Sequence, residues 1–246
     1  MTAGSLRVSL VPPRGTIPAR PQTTAVVIDV LRATSTISAA CANGAARVVA
    51  FEDPSAALAY RQREANVLVC GEREGRVIEG FDLGNSPSEY ARERVASRTL
   101  AFASTNGSRA LRAASGCRAR VPAAFTNASA VLRALGDAAD IWIIAAGKLG
   151  EFALEDAALA GWLTVRLRQV GWRCEGTAAE LAVAIAPRDA QEVRASVEGS
   201  DHGRYLRDLA PEFAADVAFC GELDALGVAH QLDRDGRVSV AAPATS

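Results

Sequence analysis

Short runs of apolar, mostly β-branched residues recur along the chain and alternate with alanine-rich stretches of helical spacing. The apolar runs, each typical of a buried strand, cover residues 6–11, 25–30, 47–51, 67–70, 99–103, 141–145 and 217–220. Helical spacing covers residues 54–65, 86–96, 108–114, 127–135, 154–170, 178–186 and 189–209, the last with a break near Gly199. Two further runs, 228–232 and 237–240, flank Asp233-Arg234-Asp235-Gly236 and predict a terminal hairpin.

This alternation predicts an α/β fold in which helices cover both faces of a sheet. We expect a three-layer sandwich whose sheet is mixed but largely parallel. Residues 1–246 are long enough for a single domain with a substantial core, and no change of composition marks a linker. A division into two lobes near residues 123–140 stays open at this stage.

Composition narrows the classes of partner. The formal net charge is −1, so no overall field would recruit nucleic acid or an acidic membrane surface. No apolar run approaches the length of a membrane span, and the polar N-terminus lacks the apolar segment of a signal peptide. Five cysteines without a Cys-x-x-Cys pair favour a reducing compartment. We therefore expect a cytoplasmic protein without a nucleic-acid or membrane partner, and leave open whether its copies form a homo-oligomer.

Arginine supplies nearly all of the positive charge, because Lys148 is the only lysine. A bias in the base composition of the genome is the simplest explanation. Its consequence is that a clamp for small anions would consist of arginine forks, which suit phosphate, sulfonate and carboxylate groups.

The first motif with chemical content is Asp29, at the expected end of a buried strand, with Arg32 and Thr34 following at the start of a predicted helix. A carboxylate, a guanidinium and a helix N-terminus at this position are typical of a site for a small anion. We expect Asp29 to be a metal ligand or nucleophile, Arg32 a catalytic cation and Thr34 a substrate contact. The alternative is a buried Asp29–Arg32 ion pair with an ordinary threonine cap.

The next stretch holds two pairs of polar residues. Glu72 and Arg73 stand between glycines after a predicted strand and are candidate catalytic residues facing a pocket, with a solvated turn as the alternative. Further on, Ser86-Pro87-Ser88-Glu89 fits a capping box at a helix start. The cap does not explain Asp82 or Asn85, so we expect Asp82 to bind a metal ion and Asn85 to bind substrate.

The turn Thr105-Asn106-Gly107-Ser108 joins a predicted strand to a predicted helix. Asn106 and Gly107 tolerate the positive φ of a tight turn, and its N–H groups and hydroxyls would cradle a phosphate. We assign all four residues to substrate binding. The spacing is not that of a Walker A loop, so nothing supports binding of a nucleoside triphosphate.

Glu155 and Asp156 begin a predicted helix, where acidic residues commonly just complement the helix dipole. With Asp29 and Asp82 they also form a set of oxygen ligands that would suit Mg²⁺. His202 is the candidate general acid at neutral pH, with a hydrogen-bonded histidine at a helix cap as the alternative.

Taken in order, these motifs resemble the 2-phosphosulfolactate phosphatase family over almost the whole chain. The resemblance is carried by Ile28 to Thr36, Gly71-Glu72-Arg73, Gly80 to Tyr90, Thr105 to Ser108, Leu154-Glu155-Asp156, Ser200-x-His202-Gly203 and Asp216-Val217-x-Phe219-Cys220. It implies a Mg²⁺-dependent α/β phosphatase that converts 2-phospho-3-sulfolactate into 3-sulfolactate and phosphate, a step of coenzyme M biosynthesis. Three residues depart from the family pattern: Glu79, Ser108 and Ala153 stand where proline, threonine and serine are expected.

Two other functions stay open. One is a phosphatase of another small phosphorylated hydroxy acid, and the other is a catalytically silent relative that only binds small anions. Buried carboxylates at strand ends are costly, which favours an enzyme over a scaffold. Whether water attacks phosphorus directly, or Asp29 first takes the phosphoryl group, is also open.

Overall fold

The computed structural model describes residues 5–12, 14–18, 21–174 and 176–241. The strands are β1 (Ser5–Ser9), β2 (Thr23–Ile28), β3 (Arg47–Phe51), β4 (Val67–Arg73), β5 (Arg76–Val77), β6 (Thr99–Ala103), β7 (Ala119–Ala123), β8 (Asp140–Ala145), β9 (His230–Leu232) and β10 (Val238–Val240). The helices are α1 (Ala33–Ala42), α2 (Pro54–Arg61), α3 (Arg92–Val95), α4 (Gly107–Ala113), α5 (Ala128–Ala134), α6 (Leu154–Gln169), α7 (Thr177–Ala184), α8 (Ala190–Glu198), α9 (Asp201–Leu209) and α10 (Phe213–Cys220). Short 3₁₀ turns lie at Pro87–Glu89 and Phe125–Asn127.

These strands are divided between two sheets. The first has the order β1-β8-β2-β7-β9-β10, in which the first four strands are parallel and the last two run antiparallel to their neighbours. The second has the order β3-β6-β4-β5, in which only β5 is antiparallel. The prediction of an α/β sandwich with mixed, largely parallel strands is confirmed.

Helices α1 and α4 pack between the two sheets, and this placement follows from strands that are apolar on both faces. Along β2, Val26 and Ile28 join the core beneath α5 and α6, whereas Ala25 and Val27 join the core shared with α1 and α4. The same second core includes Phe102 of β6 in the other sheet. Alternate side chains of a strand point to opposite faces, so β2 contributes to both cores at once.

The chain leaves the first sheet after α1 and builds the whole second sheet, β3 to β6, before it returns at β7. Residues 123–140 run from the end of β7 through α5 to β8, which are both strands of the first sheet. The chain therefore passes from the first sheet to the second between α1 and β3 and returns between β6 and β7.

One predicted element is wrong. Residues 217–220, expected as a strand, form the end of helix α10. Its buried residues Asp216, Val217 and Cys220 have the spacing of a helix face, and a short apolar run cannot by itself distinguish a strand from a buried helix. The predicted helix at 86–96 is also shorter than expected, being a 3₁₀ turn followed by the one-turn helix α3.

The terminal hairpin is confirmed as β9 and β10, which pair in the antiparallel sense. Of the helices in the described ranges, none has both the length and the apolar character needed to cross a bilayer.

Candidate active site

A cavity of about 760 Å³ lies where strands of both sheets end. Asp29 follows β2 directly, Glu72 is the last residue but one of β4, and Asn106 follows β6. Lys148 follows β8, and helix α9 contributes His202. The carboxyl ends of parallel strands are the usual place for a ligand in an open α/β sheet, and here two sheets share one such place.

Asp29 is buried at the junction between β2 and α1. Its Oδ1 accepts a hydrogen bond from Ala33 N at 3.2 Å, and its backbone N–H donates to Thr34 Oγ1 at 2.9 Å. Within the described residues its Oδ2 accepts no hydrogen bond. Burial raises the pKa of Asp29 to about 6, with smaller contributions from Glu72 and Glu155 that raise it and one from His202 that lowers it.

Asp156 lies beside this carboxylate in the first turn of α6. Its Oδ1 accepts from Val30 N at 2.8 Å and its Oδ2 from Gly147 N at 3.0 Å. Burial, followed by the charges of Asp29 and Glu155, raises its pKa well above the usual range. Both oxygens are thus engaged in holding two loops together.

Glu155, its neighbour in sequence, makes a different contact. Its Oε1 lies 3.3 Å from His202 Nδ1, while its Oε2 is buried without a hydrogen-bond partner in the described part of the chain. An unpartnered carboxylate oxygen in the interior is costly unless a cation or a donor joins it.

Glu72 and Arg73 line the cavity as predicted, yet their polar atoms are engaged by the backbone. Glu72 Oε1 accepts from Thr105 N and its Oε2 from Gly75 N, each at 2.9 Å. Arg73 donates to the carbonyl oxygens of Glu72 and Glu52. Glu72 therefore ties the β4–β5 turn to the turn that follows β6.

Arg32 forms a buried ion pair, but with Asp216 of α10 and not with Asp29. Its guanidinium also donates to Gly75 O at 2.7 Å and stacks 4.2 Å from the ring centre of Phe213. Ser86, expected as a helix cap, donates its hydroxyl to Asp216 Oδ1 at 2.6 Å. Arg32 lines the cavity, and the carboxylate of Asp216, which is not part of the lining, neutralises its charge.

Besides Gly107, Glu155 and Asp156, three more residues that were expected at the site lie outside the cavity lining, namely Thr34, Ser108 and Asp82. The hydroxyl of Thr34 donates to the carbonyl oxygens of Asp29 and Ala123. The hydroxyl of Ser108 is bound to the backbone of the turn before it. Asp82 forms a half-exposed ion pair with Arg61 at 3.1 Å and accepts from Val69 N at 2.8 Å. Their side chains serve local structure, which corrects the assignment of Asp82 to the metal site and of the two hydroxyls to substrate.

The remaining predicted substrate contacts do reach the cavity or support it. Thr105, Asn106 and Asn85 line it, and Asn85 Oδ1 is buried with no hydrogen-bond partner among the described residues. Asn106 Oδ1 accepts from Leu149 N at 3.0 Å. Gly107 provides space, because a Cβ there would lie 2.7 Å from Asp29 Oδ2 and 2.5 Å from Ala33 Cβ.

The predicted four-carboxylate metal site is not assembled. No group of three or more histidine, cysteine, aspartate or glutamate side chains within the described ranges has the arrangement of a metal centre. Asp82 lies elsewhere, and both oxygens of Asp156 accept hydrogen bonds. Of the four predicted carboxylates, Asp29 and Glu155 each keep one oxygen that no described residue binds.

Sequence reasoning missed Lys148 and Tyr205 in the lining and Asp216 behind Arg32. Lys148 could have been found from the sequence, because it is the only lysine and stands next to a glycine after a predicted strand. Asp216 was hidden by the interpretation of its segment as a strand.

A sequence model of the family described as 2-phosphosulpholactate phosphatase matches residues 12–235. This chain belongs to that family. A relative from Synechococcus sp. (strain JA-3-3Ab) is 40% identical over 235 residues, which cover 94% of this chain and 95% of the relative. Relatives from Thermotoga petrophila and Thermotoga maritima are 39% and 38% identical over 201 and 197 residues, covering 80% of this chain and 83% of each relative. All three are named probable 2-phosphosulfolactate phosphatase. The resemblance seen in the motifs is confirmed, and it places the chain in a family of phosphoric monoester hydrolases.

The raised pKa of Asp29 predicts how stability depends on pH. The native state holds this proton more tightly than the unfolded chain does, with a pKa of about 6 against 3.8. The stabilising effect is therefore complete below pH 3.8 and is lost as the pH rises through 6. We expect Asp29→Asn to raise the free energy of unfolding at pH 7.5 by up to about 3 kcal/mol, and to change it little at pH 4.

Urea unfolding of both proteins at the two pH values, in the presence of a chelator, measures this difference. Asp208→Asn, an exposed change on α9, is the matched control. Its free energy of unfolding should change between the two pH values by the same amount as that of the wild type. An Asp29→Asn protein less stable than the wild type at pH 7.5 would contradict the prediction.

The close approach of Gly107 to Asp29 generates a second prediction. Gly107→Ala should lower the free energy of unfolding by about 1–3 kcal/mol through overpacking, although alanine is the better helix former. Gly116→Ala is the control, because its added Cβ meets no atom within 4 Å. Equal stability of the two variants in chemical denaturation would show that the turn adjusts freely around Asp29.

Proposed function

We propose that this chain is a Mg²⁺-dependent phosphatase that hydrolyses 2-phospho-3-sulfolactate to 3-sulfolactate and phosphate. The observation that carries the proposal is that Asp29 and His202 line one cavity while Glu155, buried behind it, contacts His202, so that three separate parts of the chain meet there. A buried carboxylate next to a histidine that a second carboxylate holds is suited to hydrolysis of a phosphomonoester. Membership of the family and the names of the relatives support 2-phospho-3-sulfolactate as the substrate.

Two carboxylate oxygens, Asp29 Oδ2 and Glu155 Oε2, fit a role as ligands of Mg²⁺. Neither accepts a hydrogen bond from the described residues, and Glu155 raises the pKa of Asp29, so the two charges lie in each other's field. Proteins commonly hold Mg²⁺ with one or two carboxylates together with phosphate oxygens of the substrate. When bound, the ion would offset the negative charge of the phosphoryl oxygens and of the leaving alkoxide.

His202 is assigned the role of general acid. Glu155 Oε1 contacts its Nδ1, which orients the ring and leaves Nε2 as the nitrogen that donates a proton. The proton passes to the substrate oxygen on C2 as the bond between that oxygen and phosphorus breaks. The oxygen that joins phosphorus comes from water, either directly or after transfer of the phosphoryl group to Asp29. The two routes can be distinguished by stopping a single turnover with acid. Phosphoaspartate is found at Asp29 only if the phosphoryl group is first transferred to that residue.

Other residues that line the cavity would position the substrate. Asn85 lines the cavity, where its amide group suits an anion, whereas the guanidinium of Arg73 donates to two backbone carbonyls. Arg32 keeps the wall in place through its ion pair with Asp216. A cytoplasmic location also belongs to the proposal, because all five cysteines are free and buried, as suits a reducing compartment. A role in coenzyme M biosynthesis stays a prediction that rests on the family.

The direct test is release of phosphate from 2-phospho-3-sulfolactate with Mg²⁺, with a chelator, and after Mg²⁺ is restored. We expect activity only with the ion, and a loss in kcat of at least about 100-fold for Asp29→Asn and His202→Asn. Arg118→Met, an exposed change outside the cavity lining, is the matched control.

Two other outcomes would favour the alternative functions. Faster turnover of 2-phospholactate or 3-phosphoglycerate than of 2-phospho-3-sulfolactate would assign the enzyme to another hydroxy acid. Binding of 3-sulfolactate without release of phosphate from any of the three compounds would favour a catalytically silent relative.

The metal assignment has a readout that does not depend on activity. Without substrate, Mg²⁺ should raise the Tm of the wild type and raise it less in Asp29→Asn and Glu155→Gln, because a ligand that binds the folded state stabilises it. An equal rise in all three proteins would exclude these two carboxylates as ligands.

A further inference from the structure

Lys148 stands in a tight turn at the edge of the cavity. Its N–H donates to Glu151 O at 3.0 Å and Glu151 N donates to Lys148 O at 2.8 Å, while Leu149 and Gly150 between them have φ of +52° and +89°. These are features of a two-residue type I′ turn. Leucine is an unusual residue in the left-handed region, and Leu149 is also 74% exposed. Contacts elsewhere must therefore maintain the turn.

Two such contacts connect the turn to the site. Gly147 N donates to Asp156 Oδ2, and Leu149 N donates to Asn106 Oδ1, each at 3.0 Å. The backbone of Lys148 is thus anchored on both sides, once to the buried carboxylate of α6 and once to the turn after β6. A side chain on such a backbone is held at the cavity more firmly than one on a free loop.

The ammonium group of Lys148 rests on an aromatic ring and not on a carboxylate. Its Nζ lies 4.2 Å from the ring centre of Tyr205, whose hydroxyl donates to Glu74 O at 3.2 Å. Within the described residues Nζ makes no ion pair and no hydrogen bond. A cation–π contact positions the group without neutralising its charge or occupying its N–H donors.

The other cations of the lining are differently engaged. Arg32 is paired with Asp216, and the guanidinium of Arg73 donates to two backbone carbonyls. Among the described residues, Lys148 is therefore the lysine or arginine of the lining that has none of its side-chain N–H donors engaged. The proposed substrate carries a carboxylate and a sulfonate in addition to its phosphate, and these need a positive partner away from the reacting phosphorus.

We propose that Lys148 is a specificity-determining residue that binds an acidic group of the substrate other than the phosphate. This inference rests on the proposed function, because that function supplies a substrate with more than one acid. Carboxylate and sulfonate share the chemistry that an ammonium recognises, namely several oxygen acceptors that carry one negative charge. The aromatic ring of Tyr205 holds the ammonium ready for either group.

The experiment compares three substrates in the wild type, Lys148→Met, Lys148→Arg and the control Arg118→Met. The substrates are 2-phospho-3-sulfolactate, 2-phospholactate, which lacks the sulfonate, and 2-phosphooxyethanesulfonate, which lacks the carboxylate. Lys148→Met should lower kcat/KM for the complete substrate by roughly 10- to 100-fold, mainly through KM, as expected for a lost charge-assisted hydrogen bond. Lys148→Arg should recover most of that loss, and Arg118→Met should show none.

The truncated substrates identify the group that Lys148 binds. If 2-phospholactate becomes insensitive to Lys148→Met while the other compound keeps the full loss, the partner is the sulfonate, and the reverse result assigns it to the carboxylate. An equal loss with all three substrates, or a loss confined to kcat, would overturn the proposal, since Lys148 would then act on the phosphate or on the fold. No loss with any substrate would overturn it as well.

Binding separates this inference from the proposed function. If the wild type releases no phosphate, the proposed function fails, and calorimetric titration with 3-sulfolactate still tests Lys148. Affinity about 10-fold or more weaker in Lys148→Met would support the proposal. Equal affinity in both proteins, or no binding to the wild type, would overturn it.

Discussion

The Asp156 carboxylate accepts one N–H from each of two loops, and the geometry of the site depends on this pair of hydrogen bonds. Val30 follows Asp29 at the end of β2, and Gly147 precedes Lys148 after β8. One buried side chain in the first turn of α6 thereby fixes the positions of both segments relative to each other. Burial raises the pKa of Asp156 well above its usual range, and the two backbone hydrogen bonds oppose this shift without cancelling it.

The acidic residues of the site differ in whether their carboxylate oxygens accept hydrogen bonds from the backbone. This difference distinguishes the carboxylates with a structural role from those available for catalysis. In Asp156 and Glu72 each oxygen accepts a backbone N–H, so these carboxylates connect loops. Asp29 and Glu155 each keep an oxygen that no described residue engages. Burial, with a smaller contribution from the charge of Glu155, raises the pKa of Asp29 to about 6, so a proton or a cation at this carboxylate is favoured.

A similar division applies to the positive charges. The arginines of the lining hold the walls, with Arg32 joining α1 to α10 through Asp216. Lysine is a compact charge on a flexible stem, and Lys148 is placed on an aromatic ring with its donors unused. Composition predicted that an anion clamp would consist of arginine forks, and the structure shows that Arg32 and Arg73 of the lining are engaged by Asp216 and by backbone carbonyls.

The sequence by itself determined the α/β class, the position of Asp29 at the end of a strand and the family, because alternating apolar runs and ordered motifs are local properties of the chain. It also indicated Glu72, Asn106 and His202, which do meet at the cavity. Only the tertiary structure decided that Arg32 pairs with Asp216, that Asp82 is engaged by Arg61, and that the strands form two sheets around α1 and α4. Those outcomes depend on residues distant in sequence competing for the same partner, and spacing along the chain carries no information about which of them wins.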